Sequence, residues 1–345
     1  VVLGFTNRVL AVDLGTSRVR VWRPRGGIVL DEPSVVAVDL RQGRACAVGA
    51  AAKHMSGRTP TGVTVVRAVQ DGRVGDFEAV RILARRALEC GPRTLLDGMR
   101  PTVLASVPVD CPGVHERALE QAFLQVGAGR VIMVPAPLAA AAGSRVLLGQ
   151  DAGGLLVDLG AGTADLAVFA YGRMVAARSL PVGGDALDRA VVARIRRDHR
   201  MEIEPVAAER LRVAAEAPAD VHGRTVLEVR GRHIGRNAPV VARVGVAEIH
   251  DALAPLLAGL VDAIADTLAR CPAELGADIL DCGLALTGGL AHGAWTRARL
   301  QDALGVPVAA PEDPDVRTIL GLGALSASPQ ITARGADVWS AAPVC

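Results

Sequence analysis

Leu155–Phe169 reads LLVDLGAGTADLAVF. An apolar run (Leu155, Leu156, Val157) ends in Asp158, a tight glycine turn follows at Gly160, Gly162 and Thr163, and Leu166 and Val168 resume the apolar pattern. Strand, acid, glycine turn and strand make a hairpin, unlike the dinucleotide and P-loop fingerprints, where the glycines open a helix. Glycines let the backbone come close to a bulky anion, and consecutive N–H groups of such a turn form an anion-binding nest. An Asp at the strand end suits a hydrated Mg²⁺, which keeps its waters and uses few carboxylates. Taken singly, the stretch reads better as an ordinary glycine hairpin, since many hairpins turn on glycine.

The stretch has a twin. Arg8–Trp22 reads RVLAVDLGTSRVRVW: an apolar strand, Asp13, Gly15 and Thr16, then Val19 and Val21 alternating with Arg18 and Arg20. Asp13 and Asp158 head the same D-L-G string 145 residues apart. That spacing is too long for a solenoid and fits two homologous domains that face each other. Two such hairpins across a cleft would grip a nucleotide's phosphates and metal from both sides. A third glycine site, Thr287–Gly288–Gly289, runs from strand to helix and offers a small backbone for an adenosine to approach.

The 345 residues suffice for two domains and a large core, which only 2% aromatic content leaves to Val, Leu, Ile and Ala. With 38 basic and 36 acidic residues the net charge is +2, so no bulk attraction to nucleic acid is expected. The basic knot Arg194–Arg200 reads as a solvated helix end. Cys46, Cys90, Cys111, Cys271, Cys282 and Cys345 lie far apart without a C-x-x-C, which points to thiols in a reducing compartment. The histidines show no metal-ligand spacing. No secretory signal is visible, Val1–Phe5 being apolar but short, and Leu253–Leu268 is interrupted by Pro255, Asp262 and Asp266 and cannot span a bilayer.

In the first half the pattern predicts strands at Ile28–Val38, Ala45–Val48 and Val65–Ala68, with a polar loop from Lys53 to Pro60. A helix capped by Asp76 should stop near Gly91–Pro92. Strand Thr102–Val107, helix Val114–Gly127, strand Val131–Val134, a short buried helix Pro135–Gly143 and a linker Ser144–Gly153 complete that half. In the second half, strand Met174–Leu180 precedes a helix starting at Gly183–Gly184–Asp185, and Glu202–Ala217 is a charged helix. Val226–Val229 and Val240–Val244 are strands, and Ala247–Arg270 is a long helix bent at Pro255. Leu284–Leu286 is a strand, Trp295–Leu304 a helix, Gly321–Leu325 starts a last helix, and the tail after Pro329 reads as mobile. Strands followed by helices, with the pattern restarting after the linker, indicate α/β sheets covered by helices.

The chain resembles the MreB/Mbl family of bacterial actin homologues, within the actin, heat-shock chaperone and sugar-kinase superfamily. The resemblance covers about residues 5–328 and rests on AVDLGTSRVRVW, GGIVLDEPSVVAV, VGAAAKHMSGRTP, VVRAVQDGRVGDFE, LLVDLGAGTADLAVF, LPVGGDALDRAVV, EVRGRHIG and ALTGG. It implies an α/β, actin-like ATPase fold of duplicated ribonuclease H-like domains, each with a large and a small subdomain. Domain I would cover 1–145 (small subdomain about 33–66). Domain II would cover 146–328 (small subdomain about 183–245), with 313–328 packing back on domain I and 329–345 as a tail.

By the same resemblance, ATP or ADP with Mg²⁺ would lie between Asp13, Gly15, Thr16 and Ser17 on one side and Asp158, Gly160, Gly162 and Thr163 on the other. Asp13 and Asp158 would hold the metal through water. Gly183, Gly184 and Asp185 would lie by the ribose or phosphate, Glu209 and Arg212 would flank the adenosine, and Gly288 and Gly289 would form its turn. The resemblance also implies membrane-associated protofilaments that guide wall synthesis and cell shape. It implies as partners copies of the chain, MreB or Mbl paralogues and wall-synthesis membrane proteins. The location would be cytoplasmic, peripheral on the inner face of the membrane. Leu95, Leu96 and Met99 in TLLDGM (Thr94–Met99), or Val1–Phe5, would touch the lipid.

Departures from the family pattern bear on catalysis. The family carries E-E-P where this chain has Pro135–Ala136–Pro137, so Ala136 replaces a carboxylate that orients the attacking water. The second loop, G-G-G-T-T-E in the family, is Gly160–Ala161–Gly162–Thr163–Ala164–Asp165 here, so Ala164 replaces a hydroxyl expected near that water. A methyl group neither accepts a proton nor orients water, and losing such a group costs about 10²–10⁴-fold in rate. Asp158 and Asp165 are the carboxylates left for a catalytic part. Leu290 stands in place of the third adenosine glycine and narrows the base pocket, and Arg18 either contacts phosphate or fills the site. The expectation is a nucleotide-binding protein that hydrolyses weakly or not at all. Two other readings compete: a non-polymerising regulator of wall synthesis, and a phosphotransferase of the sugar-kinase branch, for which no carboxylate base facing a substrate pocket is evident.

Overall fold

Two five-stranded sheets built to one plan carry the molecule. The computed structural model describes residues 9–91, 100–144, 153–217 and 225–328. In the first half, β1 (Val9–Leu14), β2 (Arg18–Arg23) and β3 (Gly27–Pro33) form an antiparallel meander. β4 (Val35–Asp39), β5 (Arg44–Val48) and β6 (Val63–Arg67) form a separate three-stranded sheet with α1 (Ala50–Met55), and β7 (Val69–Gln70) and β8 (Arg73–Val74) a short hairpin. Next come α2 (Phe77–Glu89), β9 (Thr102–Val107), α3 (Gly113–Gln125), β10 (Arg130–Pro135) and α4 (Ala136–Ser144). β9 lies parallel to β1 and β10 parallel to β9, giving the order β10-β9-β1-β2-β3.

The second half repeats this. β11 (Gly154–Leu159), β12 (Ala164–Ala170) and β13 (Arg173–Leu180) form the meander, followed by α5 (Gly184–His199), β14 (Met201–Glu202) and α6 (Pro205–Ala215). β14, β15 (Val226–His233) and β16 (Pro239–Gly245) make the small sheet. α7 (Val246–Leu268), α8 (Ala273–Cys282), β17 (Leu284–Thr287), α9 (Ala294–Leu304), β18 (Val308–Ala309) and α10 (Arg317–Ser326) complete it. β17 and β18 run parallel to β11, in the order β13-β12-β11-β17-β18.

The central strands read as continuous apolar runs because both their faces are buried. Leu10 and Val12 point into the core of the first half and Leu155, Val157 and Leu159 into that of the second. Val9, Ala11 and Leu156 turn to a third core between the sheets, filled by α4 and α10 through Leu138, Ala139, Ala140, Ile319 and Leu322. α4 and α10 meet backbone to backbone. A methyl on Gly321 would overlap Ala139 O and lie 2.8 Å from Gly143 N, and one on Gly143 would overlap Arg317 O.

Several local expectations change. Ile28–Val38 is two strands, because the N–H of fully buried Ser34 donates to Ser17 O at 2.9 Å and sends the chain from one sheet into the other. The expected polar loop begins with α1 instead, the charged helix starts at Pro205, a favoured first-turn residue, and α8 was not foreseen. The long helix is as expected, α7 holding Pro255 inside its span. The Asp76 cap of α2 is as expected, its Oδ1 accepting from Ala79 N at 2.8 Å, a bond worth about 1 kcal/mol.

Candidate functional site

Asp13 and Asp158 end equivalent strands, and each receives a hydroxyl from the parallel strand beside it. Ser106 Oγ at the end of β9 donates to Asp13 Oδ1 at 2.6 Å, and Thr287 Oγ1 at the end of β17 donates to Asp158 Oδ1 at 3.0 Å. Thr318 Oγ1 of α10 supplies the other oxygen of Asp158 at 3.1 Å. Both loops line one cavity of about 410 Å³ between the two halves. They also touch: a methyl on Gly162 would collide with Thr16 Oγ1 and lie 2.9 Å from Gly72 N, which itself donates to Thr16 Oγ1 at 3.3 Å. Here glycine is required by the neighbour, not by its own backbone angle.

Of the residues singled out in the sequence, Asp13, Gly15, Thr16, Ser17, Asp158, Gly160, Gly162 and Thr163 line the cavity. So do Gly184, Glu209, Arg212, Gly288 and Gly289. Gly183 and Asp185 do not. Gly183 packs on the second loop, where a methyl would stand 2.6 Å from Ala161 O, and the Asp185 carboxylate is paired with Arg67 of the first half. Arg212 is held by Asp188, Nε to Oδ1 at 2.6 Å. Arg18 lines the cavity, but its Nε donates to Asp31 Oδ1 at 2.5 Å and its Nη2 to Asp31 O at 3.0 Å. Leu290 is buried in the cavity wall, as its bulk suggests.

Ala136 faces the cavity and Ala164 does not. Strand alternation turns Thr163 and Asp165 toward the cavity and puts the methyl of Ala164, 0% exposed, into the core with Leu166 and Leu187. The expectation that Ala164 removes a group beside a reacting water is therefore corrected.

Of the five carboxylates in the cavity wall, Asp13, Asp158 and Asp165 are the ones that burial holds above their ordinary range. Burial pushes Asp158 up to about 7, with the Asp165 charge adding to it against the bonds from Thr287 and Thr318. Burial also raises Asp165, which accepts from Thr163 Oγ1 at 2.8 Å and Val109 N at 3.1 Å. Asp13 is raised by burial too, with Ser106 and Arg20 opposing. Carboxylates this reluctant to ionise suit a cation. Among the described residues no three His, Cys, Asp or Glu side chains converge to hold a metal directly. The donor set therefore fits Mg²⁺ kept in its water shell. The N–H groups of Ala161 and Gly162 meet no backbone acceptor among the described residues, which suits an anion in the second turn.

The sequence marked Thr287 only as the start of a glycine turn, not as a partner of Asp158, and it did not mark Ser106, Thr318, Asp315 or His292 as site residues, nor Arg20 as more than part of the hairpin; these last five line the cavity. Ser106 and Thr287 left a signal, a hydroxyl near the end of an apolar strand in each half. Arg20 and Asp315 left none, being 295 positions apart. Leu95, Leu96, Met99, Val1–Phe5 and the tail lie outside the described residues, and no described helix is long and apolar enough to cross a membrane.

The MreB/Mbl protein family model matches residues 7–333. The chain is 34% identical to the cell shape-determining protein MreB of Escherichia coli K12, over 98% of each chain. It is 33% identical to the cell shape-determining protein Mbl of Bacillus subtilis 168, over 92% of this chain and 95% of that one. Among solved structures, MreB 5 of Spiroplasma citri bound to AMPPNP superposes with a TM-score of 0.85 at 26% identity, covering 92% of this chain and 95% of that one. The chain of a MamK double helical filament shares the actin-like fold at a TM-score of 0.75 and 21% identity, over 93% and 98%. The chain belongs to the MreB/Mbl family.

Proposed function

We propose that the cavity binds ATP or ADP with a hydrated Mg²⁺, and that the protein is a cell-shape protein that assembles with copies of itself while hydrolysing nucleotide slowly or not at all. The observation that carries this reading is the convergence of both Asp-headed loops on one cavity, Gly162 against Thr16. The Spiroplasma relative is bound to AMPPNP in one structure and ADP in another, which supports the nucleotide class. Asp13, Gly15, Thr16 and Ser17 would hold the phosphates from one side and Asp158, Gly160, Gly162 and Thr163 from the other, with Gly184, Glu209, Arg212, Gly288 and Gly289 toward the nucleoside. Mg²⁺, when bound, would screen phosphate charge, and Asp13 and Asp158 would orient its waters.

Slow hydrolysis follows from Ala136. Its methyl faces the cavity where the family carries a carboxylate, and it can neither take a proton nor align water. Domains I and II, divided near residue 145, would each contribute one loop. Paralogues and wall-synthesis membrane proteins are the partners that family membership suggests, at the inner face of the cytoplasmic membrane. Ala136 also suits a non-polymerising regulator, whereas nothing in the site favours the phosphotransferase reading. Titration calorimetry with ATP–Mg²⁺ should show binding, and phosphate release should be slow. Light scattering should rise with ATP; a binder that never scatters would be the regulator, and a chain that binds no nucleotide would end both readings.

A further inference from the structure

We infer that Arg20 is a positioning residue that latches the two halves together in the cavity wall and couples the first loop to the Gly288–Gly289 turn. Its consequence for affinity rests on the nucleotide reading; its geometry does not. Arg20 is the cross-strand partner of Asp13 in the β1–β2 ladder and is 7% exposed. Its Nη1 donates to Asp315 O and its Nη2 to Asp315 Oδ2, both at 2.7 Å, and its Nε lies 3.2 Å from Asp31 Oδ1.

Asp315 belongs to the short turn Pro314–Val316 that follows β18 of the second sheet. That turn holds both ends of the neighbouring glycine segment. Pro314 O accepts from Gly288 N at 2.9 Å, and Asp315 Oδ1 lies 3.1 Å from His292 Nε2. One guanidinium on the strand leaving the first loop therefore reaches, through Asp315 and Pro314, both ends of 288–292.

Two parallel N–H bonds to one residue fix orientation as well as distance, which a lysine at this position would not do. The pair is also largely withdrawn from water on the arginine side, so removing one partner strands a charge. Among the described residues the other ion pairs between the halves, Arg67–Asp185 and Arg189–Asp71, have exposed arginines and contribute little. Val109 N to Asp165 Oδ1 and Ser179 N to Asp110 Oδ2 also bridge the halves, but Arg20–Asp315 is the tie that ends beside the Gly288–Gly289 turn, and the placement of that turn against the first loop depends on it. Loosening it lowers the population with both loops in place, and apparent affinity falls by that fraction.

The test uses the full chain as Arg20→Gln, Asp315→Asn, their double variant, Arg20→Lys and His292→Ala. Two quantities are read: amide exchange over 284–295 in nucleotide-free protein, and ATP–Mg²⁺ affinity by calorimetry. Each of the first two substitutions should speed exchange at Gly288 and weaken binding by about 5- to 150-fold. The double variant should be no worse than the poorer single one. Arg20→Lys should fall between wild type and Arg20→Gln, and His292→Ala should give the smallest change in the same direction. Unchanged exchange in both single variants, or losses that multiply in the double, would overturn the latch. Should Arg20→Gln not fold, Arg20→Lys and His292→Ala carry the same comparison. A wild type that binds no nucleotide would sink the functional reading, while the exchange arm would still decide the latch.

Discussion

The two Asp-headed loops share a scaffold and differ in the charge set beside it. In both, an apolar strand ends in Asp, a hydroxyl from the parallel neighbour donates to the carboxylate, and glycines turn the chain back. The cross-strand partner of Asp13 is Arg20, whereas that of Asp158 is Asp165. A cation thus offsets part of the burial cost of Asp13, while a second acid adds to that of Asp158. The two loops share one geometry, and one position in each hairpin sets a cation opposite the first carboxylate and another acid opposite the second.

The largest test of that asymmetry is Ala136→Glu. Ala136 borders the open cavity, so a Glu side chain there has room to enter it, and phosphate release should rise by about 10²–10⁴-fold. An unchanged rate in a folded, nucleotide-binding variant would show that the slow step lies elsewhere.

A second test is the pH dependence of stability in nucleotide-free protein. Asp158 binds its proton more tightly folded, at about 7, than unfolded, near 3.8. Between those values the folded state holds the extra proton, so stability falls as pH rises through this window, by at most about 4 kcal/mol from this group. Below the window no penalty remains, and above it the penalty is complete. The melting temperature should therefore be higher at pH 5.5 than at pH 7.5, and Asp165→Asn should shrink the difference. Equal melting temperatures in wild type would mean that Asp158 is not penalised by burial.

The third and smallest test sets Gly162→Ala against Gly15→Ala. A methyl at 162 runs into Thr16 across the cleft, whereas one at 15 meets only Arg18 O at 3.3 Å within its own turn. The first should destabilise the closed arrangement by about 1–3 kcal/mol, seen as weaker ATP–Mg²⁺ binding, and the second by well under 1 kcal/mol. Equal effects would contradict the contact between the loops.

The hairpins, the duplication and most of the cavity wall were legible because period-two alternation and the repeated D-L-G string are local. Ala164 stands two residues before Leu166 and four before Val168, so the strand period puts it on their buried face; comparison with the family pattern did not use that register and misplaced Ala164. The break at Ser34 was not legible, since it depends on a bond to Ser17 from across the chain fold. Nor was the hold of Arg20 on Asp315, or of Thr318 on Asp158, because nothing in a strand or helix pattern says which distant residue will face it.

The backbone contact of α4 with α10 has a mechanical meaning. Helices interlocked at Gly143 and Gly321 cannot slide along one another, because any side chain larger than hydrogen would already overlap the opposing main chain. A side chain at Gly143 or Gly321 would have to part the two helices, and with them the sheets whose shared core they fill.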